Sequence, residues 1–167
     1  MPNTFIKIAS VTVGSGGAAS IEFTSIPSTY TDLVVKFSGN GSVINTALYM
    51  QFNGSSSSYT GRYLRGSGSA ANSYTQVDFP NSVYGTYLSG SNTIPTNQEF
   101  YIPNYASSNF KSVSVDAVEE RNGTTAYAML TAGLWSNTAA ITSITLSPDS
   151  GTILQYSTAT LYGIKNS

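Results

Sequence analysis

The chain has 167 residues, no cysteine, no histidine and a formal net charge of −1, with only 9% of its residues charged. That length suits one domain with its own core, and the missing thiols exclude disulfides and thiolate metal sites. Near-neutrality excludes nucleic acid and anionic membranes as electrostatic partners, and no apolar run nears the ~20 residues of a membrane-spanning helix.

From the amino terminus onward, period-two alternation dominates and no helical period competes with it. MPNTFIKIASVTV lacks the basic segment, apolar run and cleavage site of a signal peptide, so the chain is expected to stay where it is made. Residues 5–13 (FIKIASVTV) read as a first strand ended by Gly14-Ser15-Gly16-Gly17, a hairpin turn into a second strand at 19–25. There Ala19, Ile21 and Phe23 share one face, with Glu22 and Thr24 opposite. A turn on Pro27 leads to DLVVKFSG, with Leu33, Val35 and Phe37 on one side and Lys36 on the other. Residues 46–52 (TALYMQF) continue the pattern through Leu48, Met50 and Phe52.

The stretch from about 53 to 95 is rich in Ser, Gly and Tyr and carries only short strand-like pieces, YTGRYLR and SYTQVDF. It reads as a loop or excursion from the main body. A helix near 80–88 is the alternative there, and Gly85 with its β-branched neighbours argues against it. Alternation resumes at 98–104 (QEFYIPN), then at 110–120 and 124–135 around Arg121-Asn122-Gly123. Asn-Gly between two such runs is the strongest short hairpin signal, because both residues tolerate positive φ. ITSITLS, the turn Pro148-Asp149-Ser150-Gly151 and a closing strand complete the chain. Nine or ten strands with turns every 8–12 residues imply an all-β fold, a single β-sandwich of jelly-roll-like type spanning residues 1–167.

The residue types leave little chemistry. Without histidine there is no ordinary general base, triad partner or common zinc ligand. Paired carboxylates remain the one route to acid–base catalysis, as in glycosidases. Glu119 and Glu120 are adjacent, so a strand turns them to opposite faces. Glu22, Asp32, Asp78 and Glu99 are scattered, Asp32 reads as a turn cap and Asp149 as a turn residue. Gly14-Ser15-Gly16-Gly17 lacks the following helix and the Lys of a phosphate loop. The Asn40, Asn53 and Asn122 sequons matter only in a secretory pathway. The reading is therefore a protein without catalytic, cofactor-binding or metal-binding residues.

One constellation stands apart: Tyr59, Arg62, Tyr63 and Arg65, with Tyr74, Tyr84 and Tyr87 nearby. Tyr and Arg are the types favoured at protein interfaces, and Tyr also stacks on sugars. Half-buried strand aromatics are the plain alternative. A surface with few charges loses the repulsion that holds monomers apart, which favours life in an assembly over a secreted-type β-domain.

FIKIASVTVGSGGAASIEFTSIPSTYTDLVVKFSG and ITSITLSPDSGTILQYSTATLYGIKNS resemble a family of small virion proteins of tailed bacteriophages, common among phages of aquatic bacteria. In that family a run like TYTDLVVKFSG follows the first hairpin and one like STATLYGIK closes the chain. The resemblance covers roughly the first forty and last sixty residues; the middle carries none. It implies a non-enzymatic virion protein, either a capsid decoration (cement) protein bound to the major capsid protein or a fibre or tail-tip module recognising host-surface glycans. For a cement protein it further implies a homotrimer at threefold points of the capsid, where a neighbouring chain would cover the edge of the final strand.

Overall fold

The computed structural model describes residues 4–76, 81–90 and 93–165. Among them lie twelve strands and no helix. In order these are β1 (Phe5–Thr12), β2 (Ile21–Phe23), β3 (Asp32–Gly39), β4 (Thr46–Phe52), β5 (Tyr59–Gly66) and β6 (Ala71–Gln76), then β7 (Val83–Leu88), β8 (Thr96–Ile102), β9 (Lys111–Glu119), β10 (Tyr127–Trp135), β11 (Ile144–Pro148) and β12 (Thr158–Ile164).

They form two antiparallel sheets, an eight-stranded one ordered β1-β12-β3-β8-β9-β10-β5-β6 and a four-stranded one ordered β2-β11-β4-β7. Eight of the strands follow the jelly-roll path: β1-β12-β3-β8 face β2-β11-β4-β7 as two interlocked Greek keys. The remaining four are two inserted hairpins. β5–β6 leaves between β4 and β7, β9–β10 leaves between β8 and β11, and the two join edge to edge along β10 and β5. Together they widen the large sheet by four strands.

Alternation drives this arrangement. On β9 the odd residues Lys111 to Glu119 are buried and the even ones exposed, as a sheet with one covered face requires. The inward residues of both sheets meet in one core that includes Leu33, Phe37, Phe52, Phe100, Trp135 and Leu161. Phe52 and Trp135 meet there at 5.6 Å with tilted rings, and Tyr59 stacks on the same indole at 6.1 Å.

Several local expectations change. The first two strands do not pair: β1 joins β12, and β2 joins β11 in the other sheet. The glycine run is a crossover between sheets, because both strands must turn apolar residues toward the same core. Gly16 and Gly17 take φ of 95° and 76°, and a Cβ on Gly17 would stand 2.8 Å from the Ile153 carbonyl oxygen. The strand count exceeds nine or ten because the 53–95 stretch supplies β5, β6 and β7. Of the expected strand SYTQVDF, residues 77–79 lie outside the described residues, as does Asp78. The alternative helix is the strand β7. The β9–β10 hairpin forms with Tyr127 opposite Glu119, but residues 120–126 make a wider loop than a two-residue turn. Asn122 alone takes the left-handed conformation there, at φ 53°. β12 is paired along its length by β1 and β3, so the strand needs no neighbouring chain to cover it.

A bulge links the two sheets. Ala47 faces Tyr87 and Tyr49 faces Tyr84, so Gly85 and Thr86 together oppose Leu48. The Thr86 N–H, freed from the ladder, donates to Oε1 of buried Gln98 on β8 at 3.0 Å.

Candidate functional site

An eight-stranded sheet is roughly twice as wide as a four-stranded one at ~4.8 Å per strand, so β7, the edge of the small sheet, packs over β9 and β10 while β5 and β6 extend beyond it. The exposed inner face of that overhang has to be covered, and tyrosines cover it. Tyr63 on β5 is stacked between Tyr74 on β6, at 4.8 Å, and Tyr84 on β7, at 4.9 Å. Tyr87 on β7 meets Tyr127 on β10 at 4.9 Å. Arg65 sits among them, 4.8 Å from the Tyr74 ring and 5.2 Å from that of Tyr127. It donates to the Tyr74 hydroxyl at 2.7 Å and the Tyr87 hydroxyl at 3.2 Å. Burial pushes the Tyr84 phenol far above its usual range.

The seven residues singled out in the sequence thus separate. Tyr59 is in the core, where its hydroxyl accepts the Phe52 N–H at 2.8 Å. Tyr84 is buried, and Tyr63, Arg65, Tyr74 and Tyr87 are half-buried against one another. Arg62 alone points outward into solvent. The aromatic rings are brought together, but as the wall that closes the open end of the sandwich.

The outer face of β9, β10, β5 and β6 is different in kind. Leu130 on β10 lies directly opposite Leu64 on β5, and each is 57% exposed. Asp116 on β9 flanks the pair on one side and Ser73 on β6 on the other. Ala132 opposes Arg62, and Ala128 opposes both Val118 and Gly66. On either side of the leucine pair the face dips into a shallow hollow, of about 430 Å³ toward Ala128 and Ala71 and about 380 Å³ toward Arg62 and Ala132. Sequence reasoning missed this face, though β10 carried a signal. Its outward residues Ala128, Leu130, Ala132 and Leu134 are apolar while its inward residues also pack. A strand apolar on both sides is usually covered on both sides.

The carboxylates are placed for structure. Asp32 accepts the Tyr101 hydroxyl and the Asn104 N–H, both at 2.9 Å, which makes it the cap of the turn after β8. Glu119 is fully buried; Arg121 Nη2 donates to its Oε2 at 3.1 Å, while Nε stands 2.7 Å from Oε1 off the line a hydrogen bond needs. Burial raises the Glu119 carboxyl despite Arg121. Glu120 turns the other way and accepts the Asn122 N–H at 2.7 Å. Glu99 and Asp116 are cross-strand neighbours on the open outer face, with Lys36 bound to Glu99 at 2.8 Å. They border a hollow of about 230 Å³ on a flat sheet, which offers no cleft to hold a sugar chain between them. Among the described residues no three His, Cys, Asp or Glu side chains converge as metal ligands. What this face offers chemically is contact area: apolar, flat and lightly charged. No family model, curated protein or solved structure matches the chain.

Proposed function

We propose that this chain is a non-enzymatic adhesive structural protein of a tailed-bacteriophage virion, decorating the capsid surface and stabilising it. The observation that carries the reading is the outer face of β9-β10-β5-β6, where two half-exposed leucines stand among alanines, glycine and serine with a single charge on each side. Such a face suits burial against another protein, because its apolar atoms gain from leaving water and few charges must be stripped of theirs. The resemblance of roughly the first forty and last sixty residues to small virion proteins supplies the setting, with the major capsid protein or another virion protein as neighbour.

The mechanism is adhesion. A jelly roll held by two paired sheets presents a rigid wall, so little ordering entropy opposes docking. Glycan recognition at a fibre tip is supported less, since stacking on sugar needs free ring faces and both faces of Tyr63 are occupied by Tyr74 and Tyr84. Particles assembled with and without the chain test the reading: those lacking it are expected to lose their genome at lower temperature and on osmotic shock. Equal survival of both would remove the stabilising role.

A further inference from the structure

Among the described residues β1 and β6 end the large sheet and β2 and β7 the small one. An edge strand presents a row of backbone N–H and C=O groups to any chain that can pair with it. Three of these edges carry a device against such pairing. β1 holds Lys7 and breaks its register between Lys7 and Ala9, β2 runs for only three residues, and β7 is kinked by the bulge at Gly85 and Thr86. β6 has no such device. It reads Ala-Asn-Ser-Tyr-Thr-Gln, without charge or proline, and follows β5 in unbroken register. Ala71, Asn72, Ser73 and Thr75 are all exposed.

The turn of the β5–β6 hairpin decides which groups of β6 face outward. The Ser67 N–H donates to the Ala70 carbonyl at 3.0 Å, so Ser67 and Ala70 are a hydrogen-bonded pair. Antiparallel ladders alternate from there. Asn72 and Tyr74 therefore bond to Arg65 and Tyr63, while Ala71, Ser73 and Thr75 turn their N–H and C=O away from β5. We propose that a second copy of this chain pairs with β6, edge to edge and antiparallel, about a twofold axis at Ser73 perpendicular to the sheet. In that register Ser73 meets Ser73 of the second copy, and Ala71 meets Thr75 both ways round. Each pair exchanges two backbone bonds, about six in all, whereas a slip of two residues either way leaves about four. The side chains agree with the register: small Ser73 faces itself, Ala71 faces Thr75, Asn72 lies opposite Tyr74, and no like charges meet.

Directly paired residues point to the same side of a sheet. The row Asp116-Leu130-Leu64-Ser73 thus continues through the axis as Ser73, Leu64, Leu130 and Asp116 of the second copy. Both leucine faces then lie on one side of a continuous sheet, turned from each other only by ordinary strand twist. The pairing goes beyond the adhesive reading and stands on the edge alone. Where that reading also holds, two linked faces grip one particle and gain avidity. A twofold pairing yields dimers, not the homotrimer that the sequence resemblance implied.

Sedimentation equilibrium of the full chain between about 10 µM and about 1 mM tests the pairing. A single edge is a small contact, so the natural chain is expected to dimerise reversibly in that range. Ser73→Lys and Ser73→Asp are each expected to weaken the dimer about tenfold or more, since like charges then face each other across the axis. Mixed in equal amounts, the two variants are expected to form a heterodimer within about threefold of the natural affinity, because residue 73 faces residue 73. The position is exposed, and thermal melts check that each variant keeps the fold. Amide exchange of the natural chain needs no variant: the Ser73 N–H is expected to exchange about twofold or more slower at the top of the range than at the bottom. A chain monomeric throughout, a trimer, a dimer untouched by either charge, or a mixture no better than its components overturns the proposal. Particles that need the chain to survive heating while the free chain stays monomeric would remove the edge pairing and leave the adhesive reading standing.

Discussion

Arg65 donates from Nη2 to the hydroxyl of Tyr74 at 2.7 Å, and so turns the guanidinium of a solvent-lapped edge inward among phenols. Its other amino group reaches Tyr87 at 3.2 Å, tying β5 to β6 and to the edge of the facing sheet. Arg65→Ala is expected to destabilise the protein by about 1–3 kcal/mol, from the stranded hydroxyls and lost cation–π contacts. Arg65→Lys should recover only part of this, because an ammonium lacks the planar fork. Urea denaturation measures both; an Arg65→Ala midpoint equal to that of the natural chain would contradict an internal role for the cluster.

The bulge on β7 is the second point of leverage. A methyl on Gly85 would fall 2.1 Å from Gln98 Oε1 and 2.9 Å from the Leu48 carbonyl oxygen. Gly85→Ala should therefore cost about 1–3 kcal/mol by overpacking, and Gln98→Leu about the same by leaving the Thr86 N–H unpaired in the core. Because both substitutions attack one hydrogen bond, the double variant should cost clearly less than the sum. Additive losses would mean that the Gln98 bridge is not what fixes the bulge.

Glu119 makes the stability of the fold sensitive to mild acid in an unusual direction. Burial holds its carboxyl above the usual 4.5, with Arg121 opposing the shift. A folded pKa above the unfolded one stabilises the fold most at pH below the unfolded value, and that contribution is lost as pH rises through the folded value. The stability of the natural chain relative to Glu119→Gln is thus expected to be highest near about pH 4 and to fall toward about pH 7. Paired denaturation curves at the two pH values check this, and a difference that grows with pH would reverse the assignment.

Alkali should unfold the protein through its tyrosines. Burial pushes Tyr59 up to about 12, and raises Tyr49 and Tyr84 further. Unfolded phenols ionise near 10, so stability is present below that value and drains away as pH rises through the folded values. Ultraviolet titration is expected to show a steep tyrosinate phase coinciding with loss of near-ultraviolet circular dichroism. A smooth titration of every tyrosine with the dichroism intact would contradict the buried cluster.

The sequence revealed strands more readily than their partners, for a physical reason. Alternation is local, so TALYMQF and DLVVKFSG coincide with β4 and β3. Pairing is a long-range matter: nothing near Gly14–Gly17 says that β1 will join β12, almost the whole chain away. The pieces YTGRYLR and SYTQVDF pointed to β5 and β6, but not to their pairing as an inserted hairpin, since β6 is built of Ala, Asn, Ser, Tyr, Thr and Gln and has no apolar face of its own to advertise. The tyrosine constellation was visible as a composition, but its direction was not. Tyr59, Gly61, Tyr63 and Arg65 share one parity and Arg62 and Leu64 the other, and only the overhang beyond β7 makes the polar, aromatic parity the inner one.

That inversion leaves Leu64 outside, and Leu64→Asp on the intact particle tests the consequence most directly. More than half exposed, the side chain can change to Asp at a cost on the order of 1 kcal/mol, from strand propensity and the lost pair with Leu130, so the variant chain should still fold, with a melting temperature only a few degrees lower. Particles carrying it are expected to fail on heating like particles without the chain. Particles carrying folded Leu64→Asp that survive as well as natural ones would contradict the outer face of β10 and β5 as the adhesive surface.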